Sequence, residues 1–315
     1  MSSSKLAIIS GNALADYHFG EQHPFGPGRL QAFLDGMKKS GLVKKVNWHA
    51  PVGCMETSLR NFHTDDYIRH VKNLSTFGVG YLDQGDTPAR QGIFEAGCVV
   101  VGSVLDMTDR IMRGEYRRGF IPIAGLHHGY RDHCSGFCVF NDCAITIEHL
   151  RQQYHLEKIL YVDIDAHHGD GVFYNYDSDR HLYVVDFHED GRYLYPGTGD
   201  ADETGTGAAQ GTMMNFPLPK GAVDKDFFDL WPHAEAFMRS VKPEFILFQC
   251  GADSLDGDPI THLALSEEAH RHAARSLCRM ADEFCQGRII GLGGGGYNLQ
   301  NIARAWPAVV SSMLE

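Results

Sequence analysis

One stretch of sequence decides the fold prediction: Leu160-Tyr161-Val162-Asp163-Ile164-Asp165-Ala166-His167-His168-Gly169-Asp170. Its apolar first part is typical of a β-strand, and three aspartates and two histidines follow at once. Asp165 and His167 are two residues apart, so their side chains leave the same face of an extended backbone. A carboxylate and an imidazole side by side at a strand end form half of a metal site.

Similar apolar runs recur along the chain, at 5–10, 120–125, 159–163, 182–186, 245–250 and 289–292. Amphipathic segments between them predict helices at about 30–39, 89–113, 140–154, 225–241, 266–284 and 298–314, and another that begins near Thr64 or Asp65. Strands rich in Ile, Val and Leu without polar alternation are buried on both faces, which predicts an α/β fold with a parallel, helix-covered sheet. Polar clusters follow the strands at their carboxyl ends, where ligands bind in such sheets.

Composition limits the possible classes of protein. No linker, charge block or repeat divides the 315 residues, so we expect a single domain over 1–315. The formal charge of −12 argues against a nucleic-acid partner and favours a cationic substrate. The apolar runs fall short of the roughly 20 residues that span a bilayer, so no membrane association is expected.

The start of the chain and its cysteines predict a cytoplasmic protein. Residues 1–5 lead directly into the first strand and lack the profile of a signal peptide. The eight cysteines include no CxxC pair, which is typical of free thiols in a reducing compartment.

Asp165, His167 and Asp253 are the candidate metal ligands. Three protein ligands with an open fourth position are typical of catalytic zinc, and oxygen and nitrogen donors suit Zn²⁺ or Fe²⁺. Either aspartate alone could instead cap a helix. Their combination at the ends of separate strands favours the metal site.

Two histidines follow another strand, and two acids have no evident structural task. His127 and His128 could pair with Asp163 and Asp170, or serve packing alone. An imidazole bonded through Nδ1 to a buried carboxylate is held in one tautomer and has its pKa raised. Two such pairs beside a metal would supply a general base for water and a proton donor for a leaving amine.

Gly293 to Gly296 lack the residues of a nucleotide-binding loop, so we interpret them as a close backbone approach that directs Tyr297 into the site. A phenol there can donate to the oxyanion of a tetrahedral intermediate, although a core aromatic is the alternative. Phe137 and Tyr195 lie on predicted loops near the same crevice. Two facing rings would form a narrow slot for an aliphatic chain, and core packing is again the alternative.

These residues resemble the histone deacetylase family, which includes bacterial acetylpolyamine amidohydrolases and acetoin-utilisation deacetylases. The matching motifs run from about His23 to Trp306: HPFGPGRL, FHTDDY, GLHHG, SGFCVFND, YVDIDAHHGDG, YPGTGD, QCGADSLDGDP and LGGGGYN. The resemblance implies the arginase-deacetylase fold, an eight-stranded parallel sheet between helices. It also implies zinc-dependent hydrolysis of an amide with release of acetate.

The resemblance also implies a role for each of the catalytic residues. It assigns zinc to the three candidate ligands above. His128 becomes the general base and acid, supported by Asp170, and His127 becomes a second, electrostatic histidine supported by Asp163. Tyr297 polarises the acetyl carbonyl.

Substrate and cavity residues follow from the same resemblance. Those expected to contact or surround the substrate are Gly136, Phe137, Tyr195, Asp65, Ile260 and Gly295. Arg29 would line an internal cavity behind the metal. One polyamine-preferring relative has an acid at the position of Ile260, so a distal ammonium here would need Glu21, Asp65 or Asp86.

Family members also carry structural K⁺ ions. The inner site would comprise Asp163, Asp165, His167, Asp186 and Phe187, and the outer one Tyr176, Asp179, Leu182 and Thr212. Serine is common in the family where Asp186 stands, so a more negative inner site is expected here. Tyr195 replaces a usual Phe and adds a hydroxyl to the tunnel wall.

The predicted function is zinc-dependent deacetylation of small acetylated amines, above all acetylpolyamines or diamines; protein acetyl-lysine is the alternative. A two-metal ureohydrolase is a remote alternative, because Gly169 and Leu255 stand where it typically has further aspartates. A non-catalytic binding protein for acetylated ligands is equally remote, since no expected ligand is missing. The short segment between Phe77 and Pro88 favours a monomer over a dimer.

Overall fold

The computed structural model describes residues 6–315 and contains one eight-stranded sheet. The strands are β1 (Leu6–Ile9), β2 (Asn47–His49), β3 (Arg118–Ile121), β4 (Ile159–Asp163), β5 (Leu182–Glu189), β6 (Met213–Leu218), β7 (Phe245–Gln249) and β8 (Ile289–Leu292). All neighbouring strands run parallel, in the order β2-β1-β3-β8-β7-β4-β5-β6. The carboxyl ends of all eight strands therefore meet at one edge of the sheet.

Helices connect the strands. They are α1 (Asn12–Ala15), α2 (Arg29–Lys39), α3 (Glu56–Leu59), α4 (Asp65–Phe77), α5 (Ile93–Met112), α6 (Asp142–Tyr154), α7 (Asp170–Phe173), α8 (Asp224–Val241), α9 (Glu267–Phe284) and α10 (Leu299–Met313). Side chains at their N-termini act as caps: Thr64, Asn141, Ser266 and Asn298 each accept a backbone N–H from the first turn. No helix within 6–315 combines the length and the hydrophobicity that crossing a membrane requires.

The central strands are covered on both faces. Every residue of β4 and of β7 is buried, and side chains alternate between the two faces of a strand. Helix α10 packs against α2 and α9, and helix α5 packs against α4 and α6. The predicted α/β fold with a parallel sheet and helices is confirmed.

The sequence prediction differs from the structure at three strands. β3 ends at Ile121, short of the predicted 120–125 run, because Pro122 has no N–H to continue the ladder. β2 and β6 were not identified from the residues, and both are edge strands. β2 has three residues without β-branching, and β6 contains Pro217, which edge strands tolerate. The start of the chain, residues 1–5, lies outside the described residues.

Candidate active site

The three candidate metal ligands converge at the ends of two neighbouring strands. Asp165 and His167 follow β4, and Asp253 lies in a short 3₁₀ turn after β7, which pairs with β4. All three are buried, and their ligand atoms lie within 4.8 Å of one another. His167 Nδ1 is 3.0 Å from Asp165 Oδ1 and 3.1 Å from Asp253 Oδ2.

The remaining carboxylate oxygens are held by hydrogen bonds that orient the ligands. Asp165 Oδ2 accepts from Gln249 Nε2 at 2.7 Å and from the Gly295 amide at 2.8 Å. Asp253 Oδ1 accepts the Ala166 amide at 2.9 Å. One oxygen of each carboxylate is thereby left to face His167 Nδ1. Bonds of about 2.0–2.1 Å in a tetrahedral zinc site place neighbouring donors roughly 3.3 Å apart, so this donor set fits such an ion.

The glycines of this region let the backbone approach the ligands. A Cβ on Gly295 would lie 2.0 Å from Asp253 Oδ2, and one on Gly251 would lie 2.1 Å from Asp165 Oδ2. No side chain fits at either position. Gly295 therefore lies against both carboxylates and supports them through its amide, and its expected contact with the substrate stays a prediction.

Both histidines that follow β3 form pairs with carboxylates. His127 Nδ1 is 2.7 Å from Asp163 Oδ2, and His128 Nδ1 is 2.6 Å from Asp170 Oδ1. Their Nε2 atoms face each other at 3.1 Å, and Tyr161 also donates its hydroxyl to Asp163 Oδ2 at 2.6 Å. A hydrogen bond between two Nε2 atoms needs a proton on one and a lone pair on the other.

The electrostatic surroundings separate the two imidazoles. Burial alone would lower the pKa of His127, but the charges of Asp163 and Asp165 raise it to about 10. Burial and the neighbouring His127 lower the pKa of His128 to about 4, despite Asp170. The expectation that a carboxylate raises both values is wrong for His128, because desolvation and the adjacent cation outweigh its partner. His127 thus carries the proton of this contact, and the neutral His128 accepts it through the lone pair of Nε2.

Tyr297 completes the site from β8 and its glycine run. Burial and the charges of Asp253 and Asp165 raise the pKa of the phenol well above its usual value, so it stays protonated. Its backbone amide donates to Asp258 Oδ2 at 2.8 Å, which fixes the turn. Within residues 6–315 its hydroxyl has no hydrogen-bond partner, and it is free to donate to a ligand.

A cavity of about 250 Å³ leads to these groups, lined by Asp86, His128, Gly136, Phe137, His167, Leu194, Tyr195, Ile260 and Tyr297. The Tyr195 ring lies edge-on to His128 with centroids 5.2 Å apart, and the Phe137 ring lies edge-on to Tyr297 at 5.9 Å. The structure brings the predicted Gly136, Phe137, Tyr195 and Ile260 together here. The Tyr195 hydroxyl bonds to Ser135, so the extra hydroxyl ties one wall of the cavity to the loop opposite.

The acid at the cavity mouth is Asp86, and the expectation for Asp65 needs correction. Asp65 begins α4, outside the cavity lining, and its carboxylate accepts from Arg60 Nε at 2.6 Å. Glu21 is exposed and also lies outside the lining. Asp86 is exposed, and within the described chain its carboxylate forms no ion pair or hydrogen bond. A short loop that begins at Asp83 brings it there, a placement that sequence spacing does not reveal.

Arg29 is buried beneath Tyr297. Its Nε donates to the Gly296 carbonyl at 3.0 Å, and its guanidinium carbon lies 3.8 Å from the centroid of Phe25. Its Nη1 is buried without a hydrogen-bond partner among residues 6–315. The guanidinium carbon lies 6.0 Å from the centroid of the Tyr297 ring, and the internal cavity expected behind the metal stays a prediction.

The residues of the expected inner K⁺ site lie on adjacent strands, with Asp163 opposite Asp186 in the β4–β5 register. Asp186 Oδ1 is 2.7 Å from His188 Nδ1, and Asp186 Oδ2 accepts the Gly169 amide at 2.9 Å. Burial would raise the pKa of Asp186, but His188 lowers it below its usual range. Because the Asp186 carboxylate is paired with the His188 imidazole, it does not add a full, uncompensated negative charge to the expected inner K⁺ site. Phe187 follows Asp186 on β5, and the inner site stays a prediction.

The four residues of the expected outer K⁺ site lie around the start of β5. The Asp179 carboxylate accepts from Arg151 Nη1 at 2.6 Å, and the Tyr176 hydroxyl is 2.9 Å from Glu148 Oε1. The Thr212 hydroxyl donates to a backbone carbonyl at 2.9 Å, and the Leu182 amide bonds weakly to Asp179. These side chains have other partners, and the outer site also stays a prediction.

Comparison with known proteins gives the family. Residues 23–313 match the family described as the histone deacetylase domain. The chain belongs to the histone deacetylase family. Its members are deacetylase hydrolases, and zinc dependence is characteristic of them.

Relatives and solved structures cover nearly the whole chain. The acetoin utilization protein AcuC of Bacillus subtilis (strain 168) is 34% identical over 93% of this chain and 78% of its own length. AcuC of Staphylococcus aureus (strain COL) is 32% identical over 99% and 82%. The HDA15 HD domain superposes with a TM-score of 0.89 at 25% identity, covering 99% and 90%. A histone deacetylase homologue complexed with SAHA gives 0.86 at 27%, covering 98% and 84%.

Several contacts of this histone deacetylase site were not predicted from the sequence. Gln249 bonds directly to a candidate metal ligand, and Leu194 lines the cavity. Asn141 and Asp142 bond to the loop that carries the two histidines. A polar Gln at the end of an otherwise apolar strand was the one signal that could have identified the first of these.

Proposed function

We propose that this chain is a zinc-dependent amidohydrolase that removes acetyl groups from small acetylated amines, chiefly acetylpolyamines and acetylated diamines. The observation that carries the proposal is the convergence of three buried metal-type donors, one of which, His167, lines the same cavity as His128 and Tyr297. A metal held by Asp165, His167 and Asp253 would polarise the acetyl carbonyl and promote ionisation of a water molecule.

The two histidines supply the proton transfers. His128, whose imidazole is neutral, accepts a proton from the attacking water at Nε2 once that lone pair turns from His127 to the water, while Asp170 holds Nδ1 in the required tautomer. His127, protonated and 3.1 Å away, stabilises the negative charge that develops nearby. The departing amine then takes its proton from this imidazole pair. The Tyr297 phenol donates to the oxyanion of the tetrahedral intermediate.

Shape and charge favour a slender cationic substrate. The walls formed by Phe137 and Tyr195 suit an aliphatic chain, and Asp86 offers a carboxylate without a partner at the mouth. The net charge of −12 favours the approach of a cationic substrate. An acetylated diamine would place its acetamide between His128 and Tyr297 and its free ammonium near Asp86.

The substrate proposal is tested by comparing the turnover of three substrates. We expect kcat/KM for N-acetylcadaverine and N8-acetylspermidine to exceed that for a peptide that carries the same acetamide group on a lysine side chain. A preference for the peptide would assign this site to protein deacetylation instead. Absence of turnover on all three, in protein loaded with Zn²⁺, would contradict deacetylation of these amines altogether.

Asp86→Asn should raise KM for acetylated diamines about threefold to fivefold, which corresponds to the ≲1 kcal/mol of an exposed ion pair. The effect should shrink at high salt and vanish for an uncharged N-alkylacetamide. Asp65→Asn is the matched control, since its carboxylate pairs with Arg60 away from the cavity. Steady-state kinetics at two salt concentrations measure the difference, and equal KM values for the Asp86 variant and the parent would refute the assignment.

A further inference from the structure

The first residue of α6 holds the backbone that leads to the catalytic histidines. Asp142 Oδ2 accepts the Gly125 amide at 2.8 Å, and its Oδ1 accepts the Leu126 amide at 2.7 Å. Gly125 has a φ of 83°, and consecutive N–H groups beside such a residue form a concave binding place for an anion. The loop before His127 is therefore wrapped around a carboxylate that comes from another element.

The preceding residue holds the same loop on the other side of His128. Asn141 Nδ2 donates to the Gly129 carbonyl at 2.8 Å and to the His127 carbonyl at 3.3 Å. Its Oδ1 accepts the Ala144 amide at 2.8 Å and so caps α6. One side chain thus serves the helix with its oxygen and the histidine loop with its nitrogen.

The sheet supports only the first part of this loop among the bonds of the described residues: the Gly294 amide donates to the Ala124 carbonyl at 2.7 Å and Gln249 Nε2 to the Gly125 carbonyl at 3.3 Å. β3 ends at Ile121, and the bond from the His127 amide to the Gly125 carbonyl, at 2.9 Å, closes the turn from within. Asn141 and Asp142 are completely buried, and within residues 6–315 Asp142 forms no ion pair. Burial of a carboxylate is costly, and here backbone amides from this loop compensate for it.

We propose that Asn141 and Asp142 are positioning residues, which fix the backbone at residues 125–129 so that both imidazoles reach their carboxylates. Asp163 and Asp170 orient the rings through their Nδ1 atoms, and Asn141 and Asp142 fix the backbone that carries the rings. A rotation of the backbone would break both pairs and the 3.1 Å contact between the rings together. The proposal rests on the catalytic roles proposed for His127 and His128.

Asn141→Ser separates the two tasks, because serine is an equally good N-cap but its hydroxyl does not span to both carbonyls. We expect kcat for the acetylated diamine to fall about 10-fold to 100-fold, as a small misplacement of catalytic groups does. KM should stay within about twofold, since the substrate cavity is untouched. Bound zinc per chain and the melting temperature should remain near those of the parent.

Asn141→Thr gives a second uncharged variant that keeps a capping oxygen and removes the amide donor. It should show the same selective loss of kcat. Asn215→Ser is the matched control, because the buried amide of Asn215 donates to the carbonyls of Glu203 at 3.1 Å and Asp200 at 3.4 Å, on β6. Its loss should leave kcat unchanged.

Two results would overturn the positioning role. One is a kcat within about twofold of the parent for both Asn141 variants, which would reduce this residue to a helix cap. The other is a loss of kcat that is matched by equal losses of zinc and thermal stability, which would indicate a structural role alone. His128→Ala is measured alongside: if it keeps full activity, the catalytic role proposed for His128 fails, whatever the Asn141 variants show.

Discussion

His128→Ala should lower kcat by about 10²–10⁴-fold, the range that a positioned general base contributes. The reason lies in the imidazole pair: His127 holds the proton between the two rings, and the neutral His128 lines the cavity, where its Nε2 can turn from His127 to the attacking water. Removal of the ring leaves no other group within the cavity lining that is neutral and basic. Single-turnover kinetics with an acetylated diamine measure the chemical step directly.

The variant also leaves Asp170 buried without its imidazole partner, which costs stability. Rates are therefore compared per folded, zinc-loaded chain, and His128→Gln provides a variant that can still bond to Asp170. His233→Ala, at an exposed position on α8, is the control for a histidine substitution as such. A His128→Ala enzyme within tenfold of the parent would assign the base to another residue.

Tyr297→Phe should lower kcat about 10²–10³-fold, as loss of an oxyanion-hole donor does, with little change in KM. The phenol is protonated, has no partner in the described chain, and lines the cavity beside His167. Its contribution appears only when charge develops on the acetyl oxygen, which is why the rate and not the affinity should change.

Tyr193→Phe is the control, because the Tyr193 ring is 53% exposed and lies outside the cavity lining. Both variants retain the aromatic ring, so neither should disturb the core. An unchanged kcat in Tyr297→Phe would remove the phenol from the mechanism, even if the metal and His128 keep their roles.

The central strands and their polar ends were predictable because burial on both faces leaves a clear pattern. Ile159–Asp163 and Phe245–Gln249 are continuous apolar runs, and both have the predicted bounds to within one residue. The edge strands β2 and β6 are short or contain proline, and their pairing to a neighbour, not their composition, makes them strands. That pairing cannot be inferred from the local sequence.

At the site, the residues directly after strands could be predicted, since parallel strands bring them to one edge. Asp165, His167, Asp253 and the histidine–carboxylate pairs belong to this group. Loop residues could not be placed in this way. The sequence left Glu21, Asp65 and Asp86 as alternatives for the distal ammonium, because a loop, not a strand, brings Asp86 to the cavity.

The electrostatic asymmetry of the histidines also escaped sequence reasoning. Each has a carboxylate partner, so the pattern alone predicts two raised pKa values. Only the 3.1 Å approach of the two rings, together with their burial, shows that one imidazole gains a proton at the expense of the other. The functions of Asn141 and Gln249 likewise depend on contacts across the fold.

The claim on which this account depends is that Asp165, His167 and Asp253 hold one divalent ion that the reaction needs. Elemental analysis of the purified protein, with activity followed through chelation and re-addition of Zn²⁺, tests it most directly. We expect one ion per chain, complete loss of deacetylation after chelation, recovery with Zn²⁺, and neither binding nor activity in Asp253→Ala. Two ions per chain, or full activity in metal-free protein, would contradict the account.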